Sequence, residues 1–179
     1  MIDISKALQI EGWMSFNELT WLAQQAKQSS RILEVGSYKG RSARALADNT
    51  AGVVYCIDPW EPVYYNDDSS INTDIHPDVL TEFIHNLEDV ISHVKVIPHK
   101  QKFSEFYTTI KFDMIFLDGD HRYRELKYDI EHALAILQPN GLLCGHDYNM
   151  PGLPSVKRAV DELLSPVDSI DYIWYKRIP

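Results

Sequence analysis

Short apolar runs alternate with amphipathic segments along the chain, and this alternation predicts strands that take turns with helices. The runs that predict buried strands, with their tips, are 32–35, 53–57, 94–97, 112–117 and 142–147. They are short and rich in β-branched or aromatic residues, as buried parallel strands are. Apolar residues at helical spacing mark 42–48, 77–92, 122–137 and a segment that begins at Pro154. The pattern predicts an α/β fold, with a Rossmann-like, doubly wound, mostly parallel sheet flanked by helices.

The first 30 residues are predicted to be a helical lead-in to this alternation. Ser15 and Glu18 have the spacing of a capping box, in which each side chain bonds a free backbone amide of the other residue. Trp13 and Phe16 lie beside this helix start, and we expect both to pack in the core or to cover the sheet rather than to bind a ligand. With the lead-in included, the whole chain is predicted to form one domain.

Two further segments depart from the alternation. Residues 61–76 are polar and aperiodic and follow a predicted strand tip, which is typical of a lid or a binding loop. Residues 167–178 alternate in polarity and predict a strand pair or one long antiparallel edge strand at the C-terminus. Exposed Trp174 and Tyr175 on such an edge could pair with a partner, so a homo-oligomer is left open.

Composition narrows the class of protein. The chain has 179 residues, of which 45% are hydrophobic and 24% charged, as expected for one ordinary globular domain. Lys and Arg number 17 against 26 Asp and Glu, and the net charge of -9 argues against nucleic acid while allowing a cationic small ligand. Cys56 and Cys144 lie in predicted strands, so buried free thiols and a reducing compartment are expected. With no apolar run that could span a bilayer and no basic leader, we expect a cytoplasmic protein without a membrane partner.

The segment 31–42 reads as a strand, a glycine turn and the start of a helix. Glu34 lies near the strand tip, and Gly36 and Gly40 allow backbone angles and close ligand approach that a side chain would block. Ser42 and the amides of the first helical turn favour a carboxylate or phosphate group. The complete Gly-x-Gly-x-x-Gly fingerprint is absent, which disfavours a nicotinamide dinucleotide. The alternative is a purely structural corner.

Acidic and histidine side chains follow the other predicted strands as well. Asp58 lies about twenty residues beyond the glycine turn, where a carboxylate can accept ribose hydroxyls, and Trp60 could stack on adenine. Parallel strands end at a common edge of the sheet, so polar residues at several tips indicate one site. The residues concerned are Glu34, Asp58, Asp118, Asp120, His121, His146 and Asp147.

Taken together, these motifs resemble small bacterial class I S-adenosylmethionine (SAM) methyltransferases over nearly the full chain. The segments that carry the resemblance are 12–13 with the helix that follows, 34–42, 57–60, 118–123 and 145–148. Among named relatives, the chain resembles the metal-assisted sugar O-methyltransferases of macrolide and aminocoumarin biosynthesis. The resemblance implies SAM as cofactor, a small-molecule acceptor and methyl transfer to oxygen.

The resemblance also implies roles for individual residues. The cofactor would be held by Glu34, Gly36, Ser37, Tyr38, Gly40, Ser42, Asp58, Trp60, Gln101 and Asp118, with Gln101 standing where an acidic residue often meets the adenine amino group. A divalent metal would be held by Asp118, His146 and Asp147. His146 replaces a more usual acidic residue, and imidazole suits Mn or Fe better than Mg. Either the metal differs or none is bound and the histidine is a base.

The acceptor hydroxyl must lose a proton, and the candidate bases are Asp120, His121 and His146. Asp120 matches the base of the sugar methyltransferases. A structural alternative is a turn at 118–120 in which Asp118 caps the next helix. Two functional alternatives stay open. One is a hydroxylase-like enzyme on the same scaffold, with iron held by His121, His146 and Asp147. The other is a non-catalytic protein that binds SAM or a partner.

Overall fold

In residues 1–61 and 78–179, which the computed structural model describes, the chain forms one seven-stranded sheet. Its order is β3-β2-β1-β4-β5-β7-β6, with β1 to β5 parallel and β6 and β7 antiparallel to their neighbours. The strands are β1 (Arg31–Val35), β2 (Val53–Asp58), β3 (Val96–Lys100), β4 (Phe112–Leu117), β5 (Leu137–Gly145), β6 (Asp168–Ile170) and β7 (Ile173–Ile178). The predicted fold class is therefore confirmed. The strand order reverses between β1 and β4, and ligands of such sheets bind above that switch point.

Helices cover both faces of the sheet. They are α1 (Phe16–Ala26), α2 (Arg41–Asn49), α3 (Val79–Asn86), α4 (Glu88–Ser92), α5 (Tyr123–Ile136) and α6 (Pro154–Leu164). One apolar cluster packs α1 to α4 on one face, and another packs α5 and α6 on the opposite face. Neighbouring strand residues such as Ile32 and Leu33 belong to opposite clusters, because side chains alternate along a strand. Burial on both faces explains the apolar runs in the sequence.

The start of α1 is the predicted capping box, but its aromatic neighbours are exposed. Ser15 Oγ accepts a hydrogen bond from the amide of Glu18, and the Glu18 carboxylate accepts one from the amide of Ser15. Trp13 is 62% exposed and Phe16 61% exposed, so their expected burial was wrong. The apolar stripe of α1 that faces the core begins only at Leu19. Trp13 and Phe16 lie ahead of that stripe and remain at the surface.

Three predicted elements differ in their bounds. The helix expected at 77–92 is two helices, because Leu87 between them has a non-helical φ of -117°. The strand expected at 94–97 is β3, Val96–Lys100, and one 3-10 turn, Phe103–Glu105, follows it. Strand β5 begins at Leu137, directly after α5, and continues past Asn140, whose φ is +62°. The strand expected at 142–147 therefore starts five residues earlier, with an irregularity at Asn140 inside it.

The C-terminal tail is a strand pair, as expected, but its aromatic residues are less exposed than expected. Strand β7 lies between β5 and β6, and Trp174 is fully buried. Tyr175 is half-buried and packs on Trp21, with ring centroids 4.8 Å apart. The expectation that Trp174 presents an exposed edge to a partner is therefore wrong, because the hairpin folds β6 over that edge.

Other expectations concern single features. Cys56 and Cys144 are buried free thiols, as predicted. Among the described helices, none has both the length and the apolar character needed to cross a membrane. The predicted lid at 61–76 lies, from residue 62 onward, outside the described residues.

Candidate functional site

A cavity of about 560 Å3 opens above the carboxyl ends of the central parallel strands. This volume lies in the range of small-molecule sites. Among the described residues, five basic side chains line it, namely Arg41, Lys102, Arg122 and two histidines, against seven carboxylates. The carboxylates belong to Glu11, Asp58, Asp118, Asp120, Glu125, Asp129 and Asp147. This negative balance favours a ligand that carries positive charge.

The glycine turn after β1 forms part of the cavity wall. Gly36 has a φ of +85°, and a Cβ added to it would lie 2.1 Å from the carbonyl oxygen of Asp118. The turn and the end of β4 therefore touch only because residue 36 has no side chain. Gly40 has a φ of +91° and does not line the cavity, since its Cβ would meet Leu87 at 2.1 Å. Gly40 thus serves packing between α2 and the α3–α4 segment.

Glu34 lies beneath this turn, outside the cavity lining. It is fully buried, and its Oε2 accepts a 2.5 Å hydrogen bond from Ser37 Oγ. Its Oε1 has no hydrogen bond within the described part of the chain. Burial raises the pKa of Glu34 to about 7, and the Ser37 bond offsets this only in part. Ser37 and Ser42, by contrast, line the cavity directly.

Asp58 braces the glycine turn and also lines the cavity. Its Oδ2 accepts hydrogen bonds from the amides of Ser37 and Tyr38, both at 2.9 Å, and its Oδ1 accepts one from the amide of Trp60 at 2.6 Å. Burial raises the pKa of Asp58 despite these three bonds. Trp60 packs on Phe83 behind the turn and donates its indole N–H to the Tyr38 carbonyl. The structure therefore places Trp60 behind the turn and not on the cavity wall.

Tyr38 and Trp13 stand together at the cavity. Both line it, and their ring centroids are 5.0 Å apart. Trp13, expected in the core, is thus an exposed aromatic at the site. The sequence carried no signal for this, because the contact depends on how the lead-in crosses the glycine turn.

Gln101 does not reach the cavity. Its neighbours Lys102, Phe103 and Ser104 line the wall after β3 instead. Helix α5 contributes to the cavity wall two acidic residues that were not predicted from the sequence, Glu125 and Asp129. Their four-residue spacing puts both on one helix face, and that spacing was a readable signal.

Asp129 is a carboxyl group without a described partner. It makes no hydrogen bond or ion pair with another residue of 1–61 or 78–179. Burial raises its pKa to about 7, and the negative charges of Asp120 and Glu125 add to the effect. This part of the cavity therefore concentrates acidic groups.

A cluster of carboxylates and imidazoles occupies the ends of β4 and β5. His121 Nε2 lies 2.6 Å from Asp147 Oδ2. One ligand atom from each of Asp118, His121 and Asp147 lies within 4.8 Å of the others, which is close enough for all three to hold one metal ion. Burial raises the pKa of Asp118, whereas hydrogen bonds from His121 and His146 lower that of Asp147 against the effect of burial.

His146 lies beside Asp118 and Asp147, the two carboxylates with which it is predicted to hold a metal. Its Nε2 lies 3.0 Å from Glu18 Oε1, and its Nδ1 lies 3.3 Å from Asp147 and 3.6 Å from Asp118. Burial alone would lower the pKa of His146, but these three acids raise it to about 11. The structure thus holds His146 between carboxylates, and His121 joins Asp118 and Asp147 in a group of three candidate ligand atoms.

The remaining candidate bases are also engaged. The Asp120 carboxylate accepts hydrogen bonds from the amide, Nε and Nη2 of Arg122, the last at 2.6 Å. Burial opposes protonation of His121, but its bond to Asp147 outweighs this and raises its pKa. Asp120, His121 and His146 all line the cavity, so the structure brings the three candidates to one edge.

Comparisons with known proteins agree with this arrangement. A family model described as a methyltransferase domain matches residues 33–148. That span holds every site residue predicted from the sequence. No curated protein is significantly similar to the chain.

Solved structures share the fold at low identity. The O-methyltransferase TomG of Streptomyces achromogenes, involved in tomaymycin synthesis and crystallised with SAM, is 19% identical with a TM-score of 0.67, over 93% of this chain and 82% of that one. An O-methyltransferase of Bacillus cereus in complex with SAH is 17% identical with a TM-score of 0.64, over 96% and 89%. The SAH-bound methyltransferase PaMTH1 of Podospora anserina is 15% identical with a TM-score of 0.67, over 93% and 80%.

Proposed function

Because the chain belongs to the methyltransferase domain family, we propose that it transfers a methyl group from SAM to an oxygen atom of a small-molecule acceptor. The observation that carries this proposal is the joining, in one cavity, of the glycine turn after β1 with the carboxylate and imidazole cluster after β4 and β5. The SAM-bound and SAH-bound structures of similar fold support it.

The residues present fit SAM. Its sulfonium and ammonium groups are positive, which matches the excess of carboxylates in the cavity. Ser37 and Ser42 place hydroxyl groups on the cavity wall, where they can bond the polar groups of the cofactor. We assign Gly36, Ser37, Tyr38, Ser42 and Asp58 to the cofactor. Glu34, Gly40 and Trp60 support them from behind.

We further propose that a divalent metal is held by Asp118, His121 and Asp147. Two carboxylates and one imidazole can hold Mn2+, Fe2+ or Mg2+, and the imidazole favours the first two. When bound, a cation there lowers the pKa of an acceptor hydroxyl. The protein itself would orient the acceptor, because an in-line displacement at the methyl carbon depends on alignment. As the new carbon–oxygen bond forms, the carbon–sulfur bond would break and the hydroxyl proton would pass to Asp120, because the raised pKa of His146 leaves that ring protonated.

Ligand-induced stabilisation tests the cofactor. SAM or SAH at one hundred times its Kd should stabilise the fold by about 2.7 kcal/mol, since only the folded chain binds it. NAD should leave the melting temperature unchanged. A null result with SAM and SAH together would contradict the proposal and favour a non-catalytic partner-binding protein. Transfer of labelled methyl from SAM to a panel of small hydroxyl compounds then tests the reaction.

The hydroxylase-like alternative needs iron held by His121, His146 and Asp147. Because His146 Nε2 contacts Glu18, Nδ1 is the nitrogen that would hold iron in this alternative. Metal analysis of protein purified without added metal separates the two, because tightly held iron would support the hydroxylase. The buried thiols Cys56 and Cys144 fit a reducing compartment, and we propose a cytoplasmic enzyme without a nucleic-acid partner.

A further inference from the structure

A carboxylate from outside the family match reaches the proposed methyl-transfer edge. The family model covers 33–148, whereas Glu18 lies on α1, ahead of that span. Glu18 is 1% exposed, and its Oε1 lies 3.0 Å from Nε2 of His146. A carboxylate buried to this extent is costly unless it is paired, so the contact with His146 is not incidental.

Both oxygens of this carboxylate are used. Oε2 accepts a 2.7 Å hydrogen bond from the amide of Ser15, which completes the capping box. Oε1 accepts a 3.1 Å bond from the amide of Tyr172, in the turn between β6 and β7, in addition to its contact with His146. One buried side chain therefore joins the start of α1, the C-terminal hairpin and the end of β5.

The opposite edge of the His146 ring faces the cavity cluster. Its Nδ1 lies 3.3 Å from Asp147 Oδ1 and 3.6 Å from Asp118 Oδ1, and both carboxylates line the cavity. A carboxylate only accepts hydrogen bonds, so the hydrogen in the contact with Glu18 is on Nε2. The ring cannot turn about its side-chain torsion without losing that bond.

We propose that Glu18 is a positioning residue of the methyl-transfer site. It fixes the His146 ring, and the ring in turn fixes Asp118 and Asp147 at the cavity edge. Outer partners of this kind commonly orient the side chains that hold a metal or a reacting group. The inference rests on the proposed function, because it assigns Glu18 to the same site.

The test separates positioning from helix capping. Glu18→Ala removes the bond to His146 together with the cap, whereas Ser15→Ala weakens the same capping box without touching His146. Each metal-free variant is titrated with Mn2+ by calorimetry, and the ring nitrogens of 15N-histidine-labelled protein are observed by NMR. We expect Glu18→Ala to weaken Mn2+ binding at least tenfold and to shift the His146 ring signals. Ser15→Ala should leave both unchanged while lowering the melting temperature.

Two results would overturn the proposal: equal Mn2+ affinity in the Glu18 and Ser15 variants, or unmoved His146 signals in Glu18→Ala. If Glu18→Ala does not fold, Glu18→Gln replaces it, since the amide has the same size but one acceptor oxygen for three donors. If wild-type protein neither is stabilised by SAM nor binds Mn2+, the proposed function fails. The NMR comparison then decides the role of Glu18 alone.

Discussion

Gly36 has no side chain, and this lets the turn after β1 touch the end of β4. We expect Gly36→Ala to lower the free energy of unfolding by about 2–5 kcal/mol, from left-handed strain plus a clash with backbone. The clash arises because the new Cβ would lie 2.1 Å from the Asp118 carbonyl oxygen. Urea unfolding measures the loss, and SAM binding should be lost with it.

Gly152→Ala is the matched control for this change. Gly152 has a φ of +93°, but nothing lies within 4 Å of its added Cβ. It should therefore show the strain alone, about 1–2 kcal/mol. Equal losses in the two variants would mean that the contact between the turn and Asp118 contributes nothing.

We expect Asp129 to make the free energy of unfolding depend on pH. Its pKa is raised from 3.8 to about 7, so the folded chain binds this proton more tightly than the unfolded chain does. The stability it contributes is complete below pH 4 and is lost as pH rises through about 7. Asp129→Asn should remove that loss. In urea unfolding without ligand, the free energy of unfolding of the variant relative to wild type should therefore be higher at pH 8 than at pH 5.

The control for this variant is Glu131→Gln, on the same helix but exposed. It should follow the wild-type profile. Parallel profiles of Asp129→Asn and wild type across this pH range would contradict the assignment of the effect to Asp129.

At the scale of elements, Arg41 ties the lead-in to α2. Its Nη1 donates to the carbonyl of Ile10 at 2.6 Å, and its Nε donates to the carbonyl of Met14 at 3.1 Å. We expect Arg41→Ala to speed hydrogen exchange at residues 8–14 and to weaken SAM binding, because Trp13 and Met14 line the cavity. Exchange detected by mass spectrometry measures this.

Arg124→Ala serves as its control, since Arg124 is exposed on α5. Exchange at residues 8–14 that is equally slow in both variants would show that the lead-in holds its place without Arg41.

Elements were predictable where one local rule decided them. The tips of parallel strands share an edge, so the meeting of Asp58, Asp118 and Asp147 followed from the alternation of strands and helices. The burial of Trp174 and the bond from Glu18 to His146 were not predictable. Both depend on how distant segments pack, and Glu18 and His146 are 128 positions apart in sequence. A capping box explains Glu18 locally, which hid its second contact.

At the scale of the whole molecule, metal binding should stabilise the fold. Mn2+ added to metal-free protein should raise the melting temperature by an amount that grows with the logarithm of its affinity, because the unfolded chain lacks the assembled site. Asp118→Asn and Asp147→Asn should each abolish the rise, since each removes one of the clustered ligand atoms. Differential scanning calorimetry with and without Mn2+ measures it.

Asp168→Asn, an exposed change on β6, is the control and should keep the full rise. A rise that survives both cluster variants would place the metal elsewhere in the protein.

The two rims of the sheet offer little to an incoming polypeptide. Strand β3 forms one rim and contains Pro98, which lacks an amide hydrogen, while β6 forms the other rim and is three residues long. Recruitment of a foreign strand requires a continuous row of free donors and acceptors. Concentrated solutions of the native protein should therefore resist growth of ordered fibrils, with protection lasting as long as the hairpin of β6 and β7 stays in place.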